Sequence, residues 1–292
     1  MISVEVAVAL DAALGESPVW DVDNQTLHLI DIFAQRIHQL DPESGTVRSI
    51  ALDGVPGAIA LRRDGGYVGG IGLDFVTIAA DGSATPIARA AAGHRVNDGK
   101  CDARGRFLAG TMAKDERRGT AALYQLHGDG MLTELLTDVT LSNGLDWSLS
   151  GDRLYHVDTS LERVDVFDYD MHSGRLGARQ RFADLTDVPG RPDGLTVDAE
   201  GGVWVAVARA GLVHRYDPTG RLDTVIALPT PIVTSCAFGG RDLDQLYVTS
   251  SRALLPESQR ALDPVAGAVF VIEGIGVRGR APHRYGGVEP TR

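Results

Sequence analysis

Short hydrophobic runs, each bounded by a cluster of turn residues, recur along the whole chain. No run keeps a helical period over its length, and their short, alternating character favours β-strands. Six of the runs follow a polar turn in the same way: "DNQTLHLID", "DGGYVGGI", "DARGRFLAGTM", "SGDRLYHVDT", "AEGGVWVAV" and "DLDQLYVTS". The strands in these runs begin at Leu27, Tyr67, Phe107, Leu154, Val203 and Leu246. The intervals of 40, 40, 47, 49 and 43 residues indicate an internal repeat.

Each repeat contains four predicted strands. A short apolar stretch such as "NGLDWS" or "DGLTVD" comes first, and the strand after the polar turn comes second. An alternating strand that ends in a further turn ("RIHQLDPESG", "LVHRYDPTG") and a fourth strand ("TVRSIAL", "LDTVIAL") complete the unit. Four antiparallel strands in about 40–50 residues are typical of a propeller blade, whereas a β-sandwich would not explain why the whole unit recurs. The pattern predicts an all-β, six-bladed β-propeller that forms one domain over residues 1–292.

The two ends of the chain carry separate expectations. The sixth repeat has no clear fourth strand, while Ser3–Leu10 alternates well and precedes the first repeat. We therefore expect this N-terminal strand to complete the last blade and close the ring without an open edge. The segment His283–Arg292 is polar and contains glycine and proline, which predicts a loosely held tail.

Charge and composition limit the classes of partner. With 28 Lys and Arg against 39 Asp and Glu, the net charge is −11, which argues against binding to nucleic acid or to anionic lipid. No apolar run approaches the roughly 20 residues that span a bilayer. The N-terminus lacks the basic segment of a signal peptide, so we expect a cytoplasmic protein. Cys101 and Cys236 fall outside any metal-binding spacing and are predicted to be reduced and buried.

Polar residues stand just before the innermost strand in four of the six repeats: Glu16 in "LGESPVW", Asn97 in "RVNDGK", Asn143 in "LSNGLDW" and Asp193 in "RPDGLTV". Because the innermost strands of a propeller line its channel, these side chains should converge. Two carboxylates and two amides suit a hard divalent cation, which would also remove the repulsion between the carboxylates.

A simpler interpretation competes with this site. Asn–Gly and Asp–Gly are common turn dipeptides, so Asp98–Gly99, Asn143–Gly144 and Asp193–Gly194 would each alone indicate a turn. Their recurrence at one point of the repeat favours a site. Arg95 lies just before the predicted innermost strand of the third repeat. There it would either bind carboxylate or hydroxyl groups or lie on the surface, and its position alone does not distinguish these two roles. Trp20, Trp147 and Trp204 occupy strand positions and are predicted to be core.

Five stretches in order carry a resemblance to a known family: "LGESPVWD", "RVNDGKCDARGRFLAGTM", "LSNGLDWSLSGDRLYHVDT", "RPDGLTVDAEGGVWVA" and "TSCAFGGRDLDQLYVTS". Together they resemble the SMP-30/gluconolactonase/regucalcin-like family over residues 14 to 250. The resemblance implies a six-bladed propeller with one divalent cation in the channel. It implies that Glu16, Asn143 and Asp193 are the metal ligands, and that Asp193 is also the general base.

The resemblance also implies that Arg95 and Asn97 bind the sugar substrate. Asp115, in "GTMAKDERRG", stands where regucalcin-like members carry a glutamate that contacts substrate. The implied activity is metal-dependent hydrolysis of a sugar lactone of the glucono-, xylono-, arabinono- or galactonolactone type to the aldonic acid. The cation is Ca²⁺, Zn²⁺, Mg²⁺, Mn²⁺ or Fe²⁺, and the partner is a small sugar lactone rather than nucleic acid or membrane, with the protein a monomer or weak homo-oligomer.

Two other functions remain open from the sequence. The same scaffold could hydrolyse other esters or phosphotriesters, because one fold hosts many reactions. Alternatively, the protein could be a calcium-binding or small-molecule-binding regulator, since the same oxygen ligands serve both purposes.

Overall fold

The computed structural model describes residues 1–286, and its strands form six four-stranded antiparallel sheets. The predicted all-β, six-bladed propeller is confirmed. The first strands in the chain are β1 (Ser3–Val8), β2 (Gly15–Asp21), β3 (Thr26–Asp31), β4 (Arg36–Asp41), β5 (Thr46–Ala51), β6 (Pro56–Leu61), β7 (Tyr67–Ile71), β8 (Asp74–Ile78), β9 (Ala84–Arg89), β10 (Arg95–Cys101), β11 (Phe107–Met112), β12 (Ala121–Leu126) and β13 (Leu132–Val139). Strands β2–β5, β6–β9 and β10–β13 form blades 1, 2 and 3.

The second half of the chain continues the same arrangement. Its strands are β14 (Ser142–Trp147), β15 (Arg153–Asp158), β16 (Arg163–Tyr169), β17 (Leu176–Asp184), β18 (Arg191–Val197), β19 (Val203–Ala208), β20 (Leu212–Tyr216), β21 (Leu222–Ala227), β22 (Val233–Gly239), β23 (Gln245–Ser250) and β24 (Val269–Glu273). Blade 4 contains β14–β17 and blade 5 contains β18–β21. Helical structure among the described residues is confined to a 3₁₀ turn, Thr159–Leu161, and a short helix α1, Glu257–Arg260, so no described helix has the length or apolar character to cross a membrane.

Blade 6 joins the two ends of the chain. Its strand order is β1-β24-β23-β22, with β1 antiparallel to β24 and Val4 opposite Ile272. The N-terminal strand therefore supplies the fourth strand of the last blade, as predicted, although it ends at Val8 rather than Leu10. β1 pairs with the edge of β24 that would otherwise be open, and this pairing joins the two ends of the chain in one blade.

Each innermost strand contains a β-bulge at the same height. The register shifts between Glu16 and Val19 in β2, and the equivalent shifts in the other blades lie between Pro56 and Ala58, Val96 and Gly99, Ser142 and Leu145, Pro192 and Leu195, and Val233 and Cys236. A bulge leaves residues out of the ladder and re-aims their side chains. The bulges therefore lie at the same end of all six inner strands and can re-aim side chains there, except in blade 2, where the bulged residue is Gly57.

Neighbouring inner strands approach closely at these bulges. A Cβ on Gly144 would lie 2.2 Å from the Leu195 backbone nitrogen, and one on Gly194 would lie 2.0 Å from the Ser235 hydroxyl oxygen. Both glycines in the "NGL" and "DGL" motifs are thus required for packing around the axis. They occupy strands rather than the turns that their dipeptides allow.

The hydrophobic core lies between the blades. Trp20 stacks on Tyr247 with ring centroids 5.5 Å apart, which joins blades 1 and 6, and Trp204 meets Phe238 edge-on at 6.0 Å between blades 5 and 6. Trp147 is also buried, so the predicted role of all three tryptophans as core residues is confirmed. Cys101 and Cys236 are free and buried, as expected.

Residues 278–286, here called the C-terminal strap, cross the end of the channel opposite the bulges. The strap is bonded to every blade through Leu243, Ala199, Trp147, Asp21, Leu61 and His127. Tyr285 is 2% exposed. The prediction of a loosely held tail is therefore wrong for His283–Gly286, because backbone bonds and a buried ring, which composition does not reveal, hold this segment; residues 287–292 lie outside the described part.

Candidate metal and substrate site

Four of the predicted residues lie at the bulges of the inner strands. Asn97, Asn143 and Asp193 occupy the bulges of β10, β14 and β18 in three consecutive blades, and Glu16 begins the bulge of β2. The structure therefore brings these side chains to one end of the channel. The equivalent positions of blades 2 and 6 lie in "VPGAIA" and "TSCAFGG" and carry no charged or amide side chain, so the amides and Asp193 come from blades 3 to 5 and Glu16 comes from blade 1, between the two blades that lack such a group.

Direct hydrogen bonds join the two amides. Nδ2 of Asn97 donates to Oδ1 of Asn143 over 2.8 Å and to the Ser142 carbonyl oxygen over 2.7 Å. An amide nitrogen carries two hydrogens, so both are used. Asn97 therefore presents only its own Oδ1 as a free hydrogen-bonding atom.

One carboxylate oxygen of Asp193 is buried without a hydrogen-bond partner: Oδ1 is shielded from solvent, and no residue among 1–286 bonds to it. An unpaired buried oxygen is costly in free energy, and a native fold keeps one only where something compensates it. A bound cation would provide that compensation.

The carboxylates in the channel oppose one another's ionisation. Burial raises the pKa of Glu16 well above its ordinary value, and the charges of Asp193 and Asp98 raise it further, against the Ser17 backbone N–H and Arg95. Burial and the charge of Asp98 likewise raise the pKa of Asp193, against Arg191 and Arg95. Three acidic groups thus lie within electrostatic reach of one another, an arrangement that a cation stabilises.

Arg95 faces this acidic cluster. Its side chain is half-buried, its Nη1 donates to the Val96 carbonyl oxygen over 2.9 Å, and its charge lowers the pKa of both Glu16 and Asp193. The guanidinium therefore lies near both carboxylates. Its remaining donors are available to substrate oxygens.

Asp115 lies elsewhere, on an exposed turn between β11 and β12. Its Oδ1 accepts a hydrogen bond of 3.2 Å from the Arg117 backbone N–H, and no hydrogen bond within residues 1–286 joins it to the other predicted site residues. The neighbouring Glu116 makes two bonds, of 2.9 and 3.3 Å, to Arg191, which opens β18. The turn is thus tied to blade 5 by Glu116.

Sequence reasoning missed several contributors. Asp98 fell in an apparent Asp–Gly turn, but it is buried in β10 beside the other carboxylates. Thr159 bonds Asn143 across 16 residues from the 3₁₀ turn, and nothing in the repeat pattern points to it. The shared bulge could have been sought, because a polar residue followed directly by glycine recurs at the same place in two repeats, as Asn143–Gly144 and Asp193–Gly194.

Lys100, the last member of the polar cluster in "RVNDGK", points away from the site. Its Nζ donates to Asp146 Oδ2 over 2.9 Å and to the Leu195 carbonyl oxygen over 3.1 Å, which ties blades 3, 4 and 5 together. A cavity of about 70 Å³ lies here and is lined by Lys100, Asp146 and Arg280 of the strap. The strap covers this end, whereas Glu16, Asn97 and Asp193 at the bulge end are only partly buried.

The donor set fits a hard cation. Glu16 and Asp193 offer carboxylate oxygens, and Asn143 offers an amide oxygen, the ligand types that Ca²⁺, Mg²⁺ and Mn²⁺ prefer. Within residues 1–286, no three His, Cys, Asp or Glu side chains group as a metal site. The candidate site is instead a mixed set of carboxylates and amide.

Comparison with known proteins finds a family model and a relative that match most of this chain. The family model described as "SMP-30/Gluconolactonase/LRE-like region" matches residues 14–252. Regucalcin of Xenopus laevis is 39% identical over 296 residues, which cover 98% of this chain and 99% of that protein.

Two solved structures are similar to this chain over almost its whole length. A luciferin-regenerating enzyme superposes with a TM-score of 0.91 at 31% identity, covering 97% of this chain and 99% of its own. Regucalcin from Agrobacterium tumefaciens, described as a calcium-binding protein, gives a TM-score of 0.92 at 30% identity, with 97% of each chain covered.

Proposed function

Because this chain belongs to the SMP-30/gluconolactonase/LRE-like family, we propose that it is a metal-dependent sugar lactonase that hydrolyses an aldonolactone to the aldonic acid. The observation that carries the proposal is the buried, unpaired Oδ1 of Asp193 beside Glu16 and Arg95. A carboxylate oxygen without a donor is free to bind a cation or to accept a proton.

Glu16, Asn143 and Asp193 would hold one divalent cation, with the metal identity open among Ca²⁺, Zn²⁺, Mg²⁺, Mn²⁺ and Fe²⁺. Such a cation polarises the carbonyl of a bound ester and stabilises negative charge that develops on its oxygen. All three side chains lie on inner strands rather than on loops, which keeps their relative positions rigid.

Asp193 is the proposed general base. It would take a proton from the water that attacks the lactone carbonyl. The bond between the carbonyl carbon and the ring oxygen then breaks, and the proton passes to the departing oxygen, which leaves a hydroxyl and a carboxylic acid. Burial and the charge of Asp98 raise the pKa of Asp193, which strengthens it as a proton acceptor, and the charges of Arg191 and Arg95 oppose this in part.

Arg95 and Asn97 would orient the sugar. Since both amide hydrogens of Asn97 are used by Ser142 and Asn143, Asn97 would accept a hydrogen bond from a sugar hydroxyl through Oδ1. Arg95 would donate to ring or hydroxyl oxygens. An acceptor beside a forked donor suits a polyhydroxylated ring better than a simple ester.

Calcium binding without catalysis is the second candidate, because the Agrobacterium tumefaciens relative is described as a calcium-binding protein. It needs the same ligands but neither Arg95 nor Asn97. Turnover separates the two functions, since a regulator would bind the cation and release no acid.

The test is a pH-stat assay of chelated protein with each of the five metals added back. Glucono-, xylono-, arabinono- and galactonolactone are the substrates, and a p-nitrophenyl ester and a phosphotriester serve as comparisons. Metal-dependent acid release from one or more lactones supports the proposal. Metal binding with no turnover of any substrate would support the regulator. Hydrolysis of the p-nitrophenyl ester or the phosphotriester, but of no lactone, would support a hydrolase of other esters.

A further inference from the structure

The hydroxyl of Thr159 lies between the strands that carry two of the proposed ligands. Nδ2 of Asn143 donates to Thr159 Oγ1 over 2.6 Å, and Thr159 Oγ1 donates to the Pro192 carbonyl oxygen over 2.8 Å. Thr159 is 4% exposed, so water does not compete for these bonds. One hydroxyl thus connects Asn143 in blade 4 to the residue that directly precedes Asp193 in blade 5.

The position of Thr159 is itself well determined. It opens the 3₁₀ turn, and its backbone N–H donates to the Leu141 carbonyl oxygen over 3.0 Å. Asp158, the N-cap of this turn, accepts bonds of 3.0 and 3.1 Å from the backbone N–H groups of Thr140 and Leu141. The threonine hydroxyl is therefore held against the start of β14 by its own backbone.

Counting hydrogens gives the orientation of the Asn143 amide. A threonine hydroxyl has a single hydrogen, and the Pro192 carbonyl can only accept, so that hydrogen goes to Pro192. Towards Asn143 the hydroxyl can only accept, which requires the amide nitrogen on that side. Rotating the amide by half a turn would place two oxygens against each other with no hydrogen between them.

The other side of the amide is consequently the oxygen. Oδ1 of Asn143 accepts from Asn97 Nδ2 and keeps a second lone pair. With the amide reversed, its NH₂ group would face the NH₂ group of Asn97 and the proposed cation. Asn143 can therefore serve as a ligand only in the orientation that Thr159 imposes.

We propose that Thr159 is a positioning residue that orients the Asn143 amide oxygen for cation binding. This inference rests on the proposed metal site but not on which substrate is hydrolysed. Outer partners of metal ligands typically change metal affinity by about 10- to 100-fold when removed.

The test compares Thr159→Val, which keeps the shape but loses the hydroxyl, with Thr159→Ser, which retains it. Affinity of chelated protein for Ca²⁺ and Mn²⁺ is measured by titration calorimetry. We expect Thr159→Val to weaken binding by roughly 10- to 100-fold and Thr159→Ser by less than about threefold. If Thr159→Val does not fold, Thr159→Ala replaces it with the same expectation.

A matched control separates orientation from general loss of packing. Thr230 is 1% exposed, and its hydroxyl donates to Asp263 over 2.7 Å rather than to any of the three proposed ligands. Thr230→Val should leave metal affinity unchanged. A loss in Thr230→Val as large as that in Thr159→Val would overturn the inference.

The decisive measurement repeats Thr159→Val in an Asn143→Asp background. A carboxylate presents an oxygen whichever way it rotates, so removal of the hydroxyl should now change affinity by less than about threefold. An equal loss in both backgrounds, or wild-type affinity in Thr159→Val, contradicts the positioning role, as does a wild-type protein that binds no divalent cation. Absence of lactone turnover with these metal affinities intact would count against the proposed function alone.

Discussion

Nδ2 of Asn97 donates a 2.8 Å hydrogen bond to Oδ1 of Asn143, although the two residues are 46 positions apart in the chain. They occupy the same bulge in adjacent blades, so the repeat of the sequence becomes a contact in space. This contact commits the amide hydrogens of Asn97 and leaves oxygen atoms facing the channel. The polarity of the site thus follows from how the blades meet.

Asp193→Asn should abolish lactonase activity while the fold is retained. The amide keeps the size and one oxygen ligand but cannot accept the proton, and loss of a general base typically costs about 10²–10⁴-fold in kcat. Measurement of kcat with bound metal quantified in the same sample checks this. Near-normal turnover with metal bound would contradict the role of Asp193 as base.

Asn97→Ala should mainly weaken substrate capture. Its Oδ1 is the free acceptor for a sugar hydroxyl, so we expect KM to rise by roughly tenfold, while the cation stays bound through Glu16, Asn143 and Asp193. Arg95→Ala should behave similarly. Steady-state kinetics with metal analysis tests both variants, and an unchanged KM in either would show that its side chain does not contact substrate.

Asp115→Ala should have the smallest effect of the site variants, within about threefold in kcat/KM, because the Asp115 carboxylate is exposed and bonded within its own turn. Glu116→Gln, which breaks the ion pair that ties the same turn to Arg191, is the control for a loss of turn structure rather than of the Asp115 carboxylate. A drop of two orders of magnitude in Asp115→Ala would mean that the turn rearranges when substrate binds.

The stability of the fold should fall in mild acid because of His28. This side chain is 6% exposed, and burial lowers its pKa to about 4 from 6.5, only partly opposed by Asp21. Between these values the unfolded chain binds a proton that the folded chain excludes. The folded state therefore loses stability as the pH falls from 6.5 to about 4, by roughly 3 kcal/mol from this residue. Urea denaturation at several pH values should show a flatter profile for His28→Gln, whereas His172→Gln, at an exposed histidine, should retain the wild-type slope.

Tyr285 should anchor the C-terminal strap. Its ring is buried, and its hydroxyl donates to the His127 carbonyl oxygen over 2.8 Å. Tyr285→Ala should lower the free energy of unfolding by about 3–5 kcal/mol. Tyr285→Phe, which removes only the hydroxyl bond, should lower it by about 1 kcal/mol. Equal effects in a urea titration would show that the ring contributes nothing.

Repetition made the blades predictable from the sequence. Blades 1 to 5 are each built from strands that are consecutive in the sequence, so their alternation and turns are local properties of the chain. The ring closure by β1 could also be inferred, since a missing strand at one end and a spare strand at the other have one simple solution. The C-terminal strap could not, because its composition resembles a free tail and its partners are spread over six blades.

The residue types at the channel were likewise visible in the sequence, which placed Glu16, Asn97, Asn143 and Asp193 just before the inner strands, whereas the structure includes them in β2, β10, β14 and β18. What the sequence by itself determined is therefore the repeating unit, the number of blades and the chemical character of one end of the axis. The tertiary structure alone decided that Asn143–Gly144 and Asp193–Gly194 form bulges instead of turns, that Asp98 lies beside the other carboxylates, and that the Thr159 hydroxyl bonds the Asn143 amide. These outcomes depend on close packing of backbones from different blades, and such contacts link residues far apart in the chain, where no local pattern records them.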